Sequence, residues 1–149
     1  MDKSPDNSRL KREIGQTLGE VSRAWRHEMN QRLKPFGLNV SMRQVLLQLH
    51  KHPGGLMQRD LAEKLGIEGP TLVRLLDRLE QKQWIRRTTA PDDRRCKHAL
   101  LTPKAAGQLE IIEELSDQVR TLMVRGMSKV EIESGLHAMK RILENLREQ

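Results

Sequence analysis

Aromatic residues and cysteine are scarce in this sequence. Tyrosine is absent, and 149 residues include one Phe, two Trp and a single cysteine, Cys96. One cysteine excludes an internal disulfide, and the five histidines lack the spacing of a metal cluster, so neither a metal site nor a cofactor is predicted. The core must consist mainly of Leu, Ile, Val and Met, which favours packed helices.

Long apolar runs are absent as well. No stretch approaches the roughly 20 apolar residues of a membrane span, and the first twelve residues, MDKSPDNSRLKR, lack the apolar segment of a secretory leader. We therefore expect a cytoplasmic protein with a single domain over residues 1–149. The sequence also offers no paired carboxylates, no nucleophile beside a base and no phosphate-binding glycine loop, so no enzyme is predicted.

Positive charge is in excess, and it is concentrated in one segment. The formal net charge is +7, yet residues 105–149 hold 6 Lys/Arg and 8 Asp/Glu, whereas residues 84–104 hold 6 and 2. A local positive surface attracts a polyanion such as nucleic acid. A solvated charged face that keeps the protein soluble is the alternative explanation.

Apolar periodicity predicts a mainly helical chain. A long first helix ends near Pro35, and a second helix of about three turns begins at Ser41, which forms a capping-box pattern with Gln44. Two further helices begin after Thr102 and Ser128, the former running to Gly126. The stripe of the first helix consists of Leu10, Ile14, Leu18, Val21, Trp25, Met29 and Leu33.

The segment from residue 58 to residue 81 has the pattern of a helix-turn-helix. A short helix ending at Leu65 meets a helix opened by Pro70, with Gly66 in the tight turn and small Ala62 allowing close approach. The second helix then presents its polar face where a recognition helix contacts the major groove. A plain helical hairpin with a charged face is the alternative. The outward-facing residues are Thr71, Arg74, Asp77 and Arg78.

A hairpin directly follows this unit. The stretches WIRRTTA and CKHALLT are strand candidates separated by PDDR, so residues 41–102 are predicted to form a winged helix-turn-helix. The fold class is mainly α with a small β-wing. The helices of residues 9–35 and 103–149 carry apolar stripes that a monomer would leave exposed, so we expect them to form a dimerisation region. Closure of these stripes into one monomeric bundle is the alternative.

The sequence GIEGPTLVRLLDRLEQKQWIRRTTAPDDRRCKHALLTPKA resembles the MarR family of transcription regulators. The wing of this family carries D-x-R followed six residues on by L-T, here Asp93, Arg95, Leu101 and Thr102. RLKPFGL at residues 32–38 and GIEGPTLVRLLDRLE are similar to the SlyA subfamily. The resemblance covers residues 9–125. It implies a homodimeric transcription regulator, repressor or activator, that binds a palindromic double-stranded DNA operator sequence-specifically; a non-specific nucleic-acid or nucleoid-associated protein is the alternative.

The resemblance also implies roles for individual residues. Arg95 would enter the minor groove while Asp93 holds the wing, and Pro70, Thr71 and Arg74 would face bases. Arg87 is either wing scaffold or phosphate contact, or is buried in an ion pair at the base of the wing. The remaining predicted DNA-binding residues are Ser41, Gln58, Arg78, Arg94 and Lys97, of which Arg94 and Lys97 would mainly meet phosphate.

Ligand sensing is a further implication of the resemblance. Relatives bind small aromatic acids between the dimer region and the DNA-reading lobe, where Trp25 and Arg43 would offer an apolar plate and a cation to a carboxylate or phenolic effector. Alternatively, Trp25 belongs to the core and Arg43 contacts DNA phosphate. Cys96, between two basic residues, is either an oxidation switch or incidental.

Overall fold

The computed structural model describes residues 5–89, 92 and 95–148. In these ranges the chain is mainly helical with a small antiparallel sheet, which confirms the predicted fold class. None of the helices described is long and apolar enough to cross a membrane. The elements are α1 (Pro5–Leu33), a 3-10 helix (Lys34–Phe36), α2 (Val40–His50), β1 (Leu56–Met57), α3 (Gln58–Leu65), α4 (Gly69–Gln81), β2 (Ile85–Thr89), β3 (Lys97–Leu101), α5 (Pro103–Met123) and α6 (Lys129–Arg147).

The predicted N-terminus of the second helix is wrong by two residues. Asn39 caps α2, because its Oδ1 accepts a hydrogen bond from the backbone N–H of Met42 at 2.9 Å, and Ser41 lies inside the first turn. The end of α1 helps to fix this start, since Asn30 Oδ1 accepts from the backbone N–H of Val40 at 2.9 Å. A side chain ten residues upstream thus helps to select the cap.

The helix-turn-helix forms at the predicted glycine. Gly66 ends α3 with φ 63° and ψ 33°, a left-handed conformation that glycine adopts without a Cβ clash. α4 begins at Gly69, one residue before the expected Pro70. Its apolar face is buried together with Leu61 of α3, through Leu72, Leu76 and Leu79.

The wing belongs to a three-stranded sheet in which β3 lies between β1 and β2. Both pairings are antiparallel, and β2 pairs with β3 from Ile85 opposite Leu101 to Thr89 opposite Lys97. β1 was not predicted, because two residues cannot show a strand period. Gly55 leads into it with φ 87°, and a Cβ there would lie 2.8 Å from the carbonyl oxygen of Ala99.

Thr102 joins the sheet to α5 without an intervening loop. Its Oγ1 caps the helix by accepting from Ala105 N–H at 3.2 Å, and donates to the carbonyl oxygen of Gln83 at 2.8 Å. Its backbone N–H donates to the Trp84 carbonyl at 3.0 Å. The predicted cap is therefore present, although α5 ends at Met123, before Gly126. The predicted Ser128–Glu131 capping box is also present.

The buried core lies in the lobe that contains the sheet. The end of α1, α2, α3, α4, the sheet and α5 all contribute, whereas α6 has no buried residue in its described length. The first half of α1 and most of α6 therefore leave apolar stripes in contact with solvent on a single chain. These exposed residues include Leu10, Ile14, Leu18 and Val21 of α1 and Leu136, Met139, Leu143 and Leu146 of α6.

Candidate nucleic-acid interface

The polar face of α4 is open to solvent. Pro70, Thr71, Arg74 and Arg78 are exposed, while the opposite face of the helix is buried. Residues three and four positions apart share one face of a helix, so Thr71, Arg74 and Arg78 form one surface. Arg74 Nη2 lies 3.4 Å from Thr71 Oγ1, a long contact of an exposed side chain that uses one of its five guanidinium donors.

A second basic surface lies beside the wing. Arg95 and Lys97 are exposed, and with Gln58 they border an open groove of about 390 Å³. The structure thus brings together three of the residues predicted to bind DNA. Arg59 also borders this groove and was missed, although its neighbour Gln58 was predicted. Asp93 and Arg94 lie outside the described residues.

Gln58 differs from its basic neighbours because it is half-buried. Its Oε1 is buried and accepts no hydrogen bond from the part of the chain that the structure describes. An unsatisfied buried acceptor costs about 1–3 kcal/mol, so a donor entering this groove would gain by pairing with it. The position suits a residue that contacts a ligand rather than one that only packs.

Arg87 is held by two carboxylates of α4. Its Nη2 lies 2.6 Å from Asp77 Oδ1 and 2.9 Å from Glu80 Oε1, and its backbone N–H donates to Glu80 Oε2 at 2.8 Å. The guanidinium of this β2 residue is therefore occupied, which agrees with the ion-pair interpretation and not with a phosphate contact. The contacts tie the base of the wing to the recognition helix.

The same cluster shifts two pKa values. Hydrogen bonding from the Arg87 side chain lowers the pKa of Glu80, and hydrogen bonding to Glu80 raises the pKa of Arg87. Both shifts favour the charged forms, as expected for an ion pair with several charge-assisted hydrogen bonds. The sequence contained a signal for this ion-pair cluster, because Asp77 and Glu80 lie three residues apart on α4, the helix that precedes the strand of Arg87.

The structure does not bring Trp25 and Arg43 into one cleft. Arg43 is buried and its Nη2 donates to Glu113 Oε1 at 2.6 Å, so its cation is already paired with α5. Trp25 packs against the core and lines a cavity of about 260 Å³ with residues of α1 and α5, and Arg43 is not among the described residues that line it. Burial likewise separates Arg43 from DNA phosphate.

Two other residues singled out from the sequence, Ser41 and Cys96, are only half-buried. Ser41 is half-buried at the second position of α2. Cys96 is half-buried and borders the groove beside Arg95 and Lys97. Within the described ranges, no group of three or more His, Cys, Asp or Glu side chains could hold a metal ion.

A short helix, a glycine turn, a second helix with an exposed basic face and a basic hairpin define a winged helix-turn-helix protein. A model of the MarR family matches residues 38–97. The structure of the transcriptional regulator PA3341 is 41% identical, covers 91% of this chain and 99% of its own, and has a TM-score of 0.76. The chain belongs to the MarR family.

Two further solved structures agree. The DNA complex of MepR from S. aureus is 26% identical over 88% of this chain and 96% of its own, with a TM-score of 0.80. A MarR-family regulator from Rhodococcus sp. RHA1 is 25% identical over 89% and 94%, with a TM-score of 0.78. The match therefore extends over both the winged lobe and the long terminal helices.

Proposed function

We propose that this protein is a repressor that binds double-stranded DNA sequence-specifically as a homodimer on a palindromic operator. The observation that carries the proposal is the pair of exposed basic surfaces, one on α4 and one beside the wing, on a lobe whose apolar residues are buried. The DNA complex of MepR supports it, since that relative is 26% identical over most of the chain.

The proposed contacts are of two kinds, those to base edges and those to the DNA backbone. Arg74 pairs with a guanine edge in the major groove, with Thr71 and Pro70 beside it, and Arg95 enters the minor groove. Lys97 and Arg78 meet phosphates, which position the protein without reading sequence. Gln58 and Ser41 approach the backbone at the starts of α3 and α2. The roles of Asp93 and Arg94 rest on the family resemblance alone.

The homodimer is proposed from the uncovered apolar stripes. Ile14 of α1 is 53% exposed and Leu146 of α6 is 70% exposed, which is costly for a chain in water unless another surface covers them. Association through residues 9–35 and 103–149 would cover both stripes. Two copies of α4 would then lie about 34–36 Å apart, one helical turn of DNA.

Further details of the proposal rest on the resemblance. RLKPFGL and the α4 sequence support the SlyA-like subfamily, and a small aromatic carboxylate or phenol would release the repressor from DNA. Because its proposed ligand is chromosomal DNA, we place the protein in the cytoplasm. We assign it no enzymatic activity. Trp25 and Arg43 are separate candidates for an effector contact, because they do not share a cleft and Glu113 must release Arg43 before it can bind an acid.

Selection of bound sites from random duplex DNA, followed by footprinting of the full-length protein, tests the proposal. We expect a symmetric site of about two helical turns. Arg74→Ala should lose about 1–3 kcal/mol on the selected site and relax the preference at one base position. Lys97→Ala, the matched loss of one charge, should weaken binding to all duplexes alike and reduce the salt slope by about 1.

Non-specific binding is the competing function. It predicts steep salt dependence, no enriched sequence and the same loss from both variants on every duplex. Recovery of no common site from the selection, with equal losses for Arg74→Ala and Lys97→Ala, would replace the regulator by this alternative.

A further inference from the structure

One large apolar side chain is exposed on the surface of α4. Val73 is 39% exposed, on a helix whose leucines are all buried or half-buried. The other large apolar side chains that are exposed in the described part of the chain lie on α1, α5, α6 or the turn between the last two. Dimerisation through residues 9–35 and 103–149 would cover those, so Val73 needs an explanation of its own.

Val73 lies beside the residues proposed above to contact bases. It is the fifth residue of α4, and Pro70, three positions earlier, shares its side of the helix. Arg74 follows directly, about 100° further round the helix axis. Since the N-terminal residues of a recognition helix reach base edges, Pro70 and Val73 form an apolar strip beside the guanidinium that would pair with guanine.

The next polar group on this side of α4 is already neutralised. Asp77, four positions after Val73, accepts a hydrogen bond from Arg87 at 2.6 Å. The ion pair offsets a negative charge that would otherwise repel DNA close to Val73. This side of the helix therefore presents an apolar surface to DNA at Val73, and not a net negative charge.

Helix stability does not account for the valine. A β-branched side chain lowers helix propensity relative to alanine, because the helix restricts its χ1 rotation. The exposed side chain also leaves apolar surface in water, which a polar residue would avoid. Both effects favour another residue at this position in the free protein, so a contact made in the bound state is the better explanation.

The major groove contains one apolar group that such a side chain recognises. Thymine presents its C5-methyl group there, whereas the other three bases present hydrogen-bonding groups. Consecutive Cα atoms are about 3.8 Å apart, close to the spacing of about 3.4 Å between base pairs. Val73 and Arg74 can therefore reach adjacent base pairs.

We propose that Val73 recognises a thymine of the operator by packing against its C5-methyl group, at a base pair adjacent to the guanine that Arg74 contacts. The inference rests on the proposed function and deepens it, because it names a base that the operator must contain. Arg74 alone would select guanine, and Val73 adds a preference for thymine without a hydrogen bond. Loss of one buried methyl group should weaken such a contact by about fourfold.

The experiment removes the methyl group from the DNA and the side chain from the protein, separately and together. Full-length protein is titrated into the selected operator duplex, with each thymine of one half-site replaced in turn by deoxyuridine, which lacks the methyl group but keeps the hydrogen bonds of the base pair. Fluorescence anisotropy gives the dissociation constants. At the thymine adjacent to the guanine located by Arg74→Ala, deoxyuridine should weaken binding of the wild type by about fourfold and binding of Val73→Ala by less than about 1.5-fold.

Two control variants keep Val73. Arg74→Ala should bind more weakly but retain the roughly fourfold preference for thymine over deoxyuridine. Gln81→Ala, an exposed truncation at the far end of α4, should retain both the affinity and the preference. Thermal unfolding should show that Val73→Ala is at least as stable as the wild type, since alanine is the better helix former.

The inference is overturned if no thymine of the half-site shows a loss with deoxyuridine, if the loss persists in Val73→Ala, or if the selected site has no thymine adjacent to that guanine. In each of these cases the protein still binds a specific site, so the proposed function stands. Recovery of no common site would instead refute the proposed function, and this inference with it.

Discussion

The Arg87 cluster yields a quantitative prediction about how the wing is held. Arg87→Ala removes the guanidinium contacts to Asp77 and Glu80 but keeps the backbone N–H that donates to Glu80 Oε2. Arg86, its neighbour on β2, is exposed, so Arg86→Ala removes the same charge and side-chain type without breaking the cluster. The two variants form a matched pair.

The expected loss follows from the exposure of the partners. Hydrogen bonds to charged groups contribute about 1.5–3 kcal/mol when buried, and exposed ion pairs about 0.2–1 kcal/mol. The Arg87 side chain is 18% exposed, but those of Asp77 and Glu80 are 56% and 40% exposed, so water screens both carboxylates. We therefore expect Arg87→Ala to lower the free energy of unfolding by about 1–2 kcal/mol, and Arg86→Ala by less than about 0.5 kcal/mol.

The loss should depend on pH through Glu80. Its pKa is lowered from 4.5 in the folded protein, so its contribution is present above the unfolded pKa and is lost as the pH falls through the folded value. The difference between wild type and Arg87→Ala should be full near pH 7 and shrink below about pH 4.5. Urea unfolding at one fixed protein concentration measures it, because dimerisation would make the midpoint concentration-dependent.

Two results would refute this reasoning. If Arg87→Ala and Arg86→Ala unfold at the same urea concentration at pH 7, the cluster does not stabilise the fold. If the difference persists undiminished at pH 3, its source is packing of the Arg87 stem and not its charge.

Two further predictions concern backbone positions, and thermal or urea unfolding measures both. Gly55→Ala should lower the free energy of unfolding by about 2 kcal/mol or more, since the residue has a positive φ and an added Cβ would meet the Ala99 carbonyl. A Cβ on Gly54 would meet nothing within 4 Å, so Gly54→Ala should be nearly neutral. Equal stability of the two variants would count against a strained turn at Gly55. Asn39→Ala should lower the free energy of unfolding by about 1 kcal/mol because it removes the cap of α2, and Ser41→Ala should lower it by less than half of that. A larger loss from Ser41→Ala would show that Ser41 is the cap.

Local signals predicted most of the fold. The stripe of α1, the glycine at the turn and the Ser128 capping box each act within a few residues, so the sequence pattern and the structure agree there. The winged arrangement could also be predicted, because the two strands flank a recognisable turn and follow the helix-turn-helix directly.

Contacts between distant residues could not be predicted. Arg43 pairs with Glu113, 70 residues away. Because of this ion pair the guanidinium of Arg43 is not open to a ligand. Asn30 fixes the start of α2 from the previous helix, and β1 exists only because β3 provides an edge for two residues. Each depends on how helices pack, which a local period does not encode.

Because Thr102 joins β3 directly to α5, a tilt of α5 is transmitted to the winged lobe. The 21 residues of α5 span about 31 Å, and its first turn is fixed to the chain that connects the recognition helix to the wing. A tilt of about 6° over this length displaces the far end by about 3 Å, close to the rise of one base pair. In the proposed homodimer, a change of a few degrees where the two copies meet would therefore move α4 and the wing by about one base-pair step relative to the two halves of the operator.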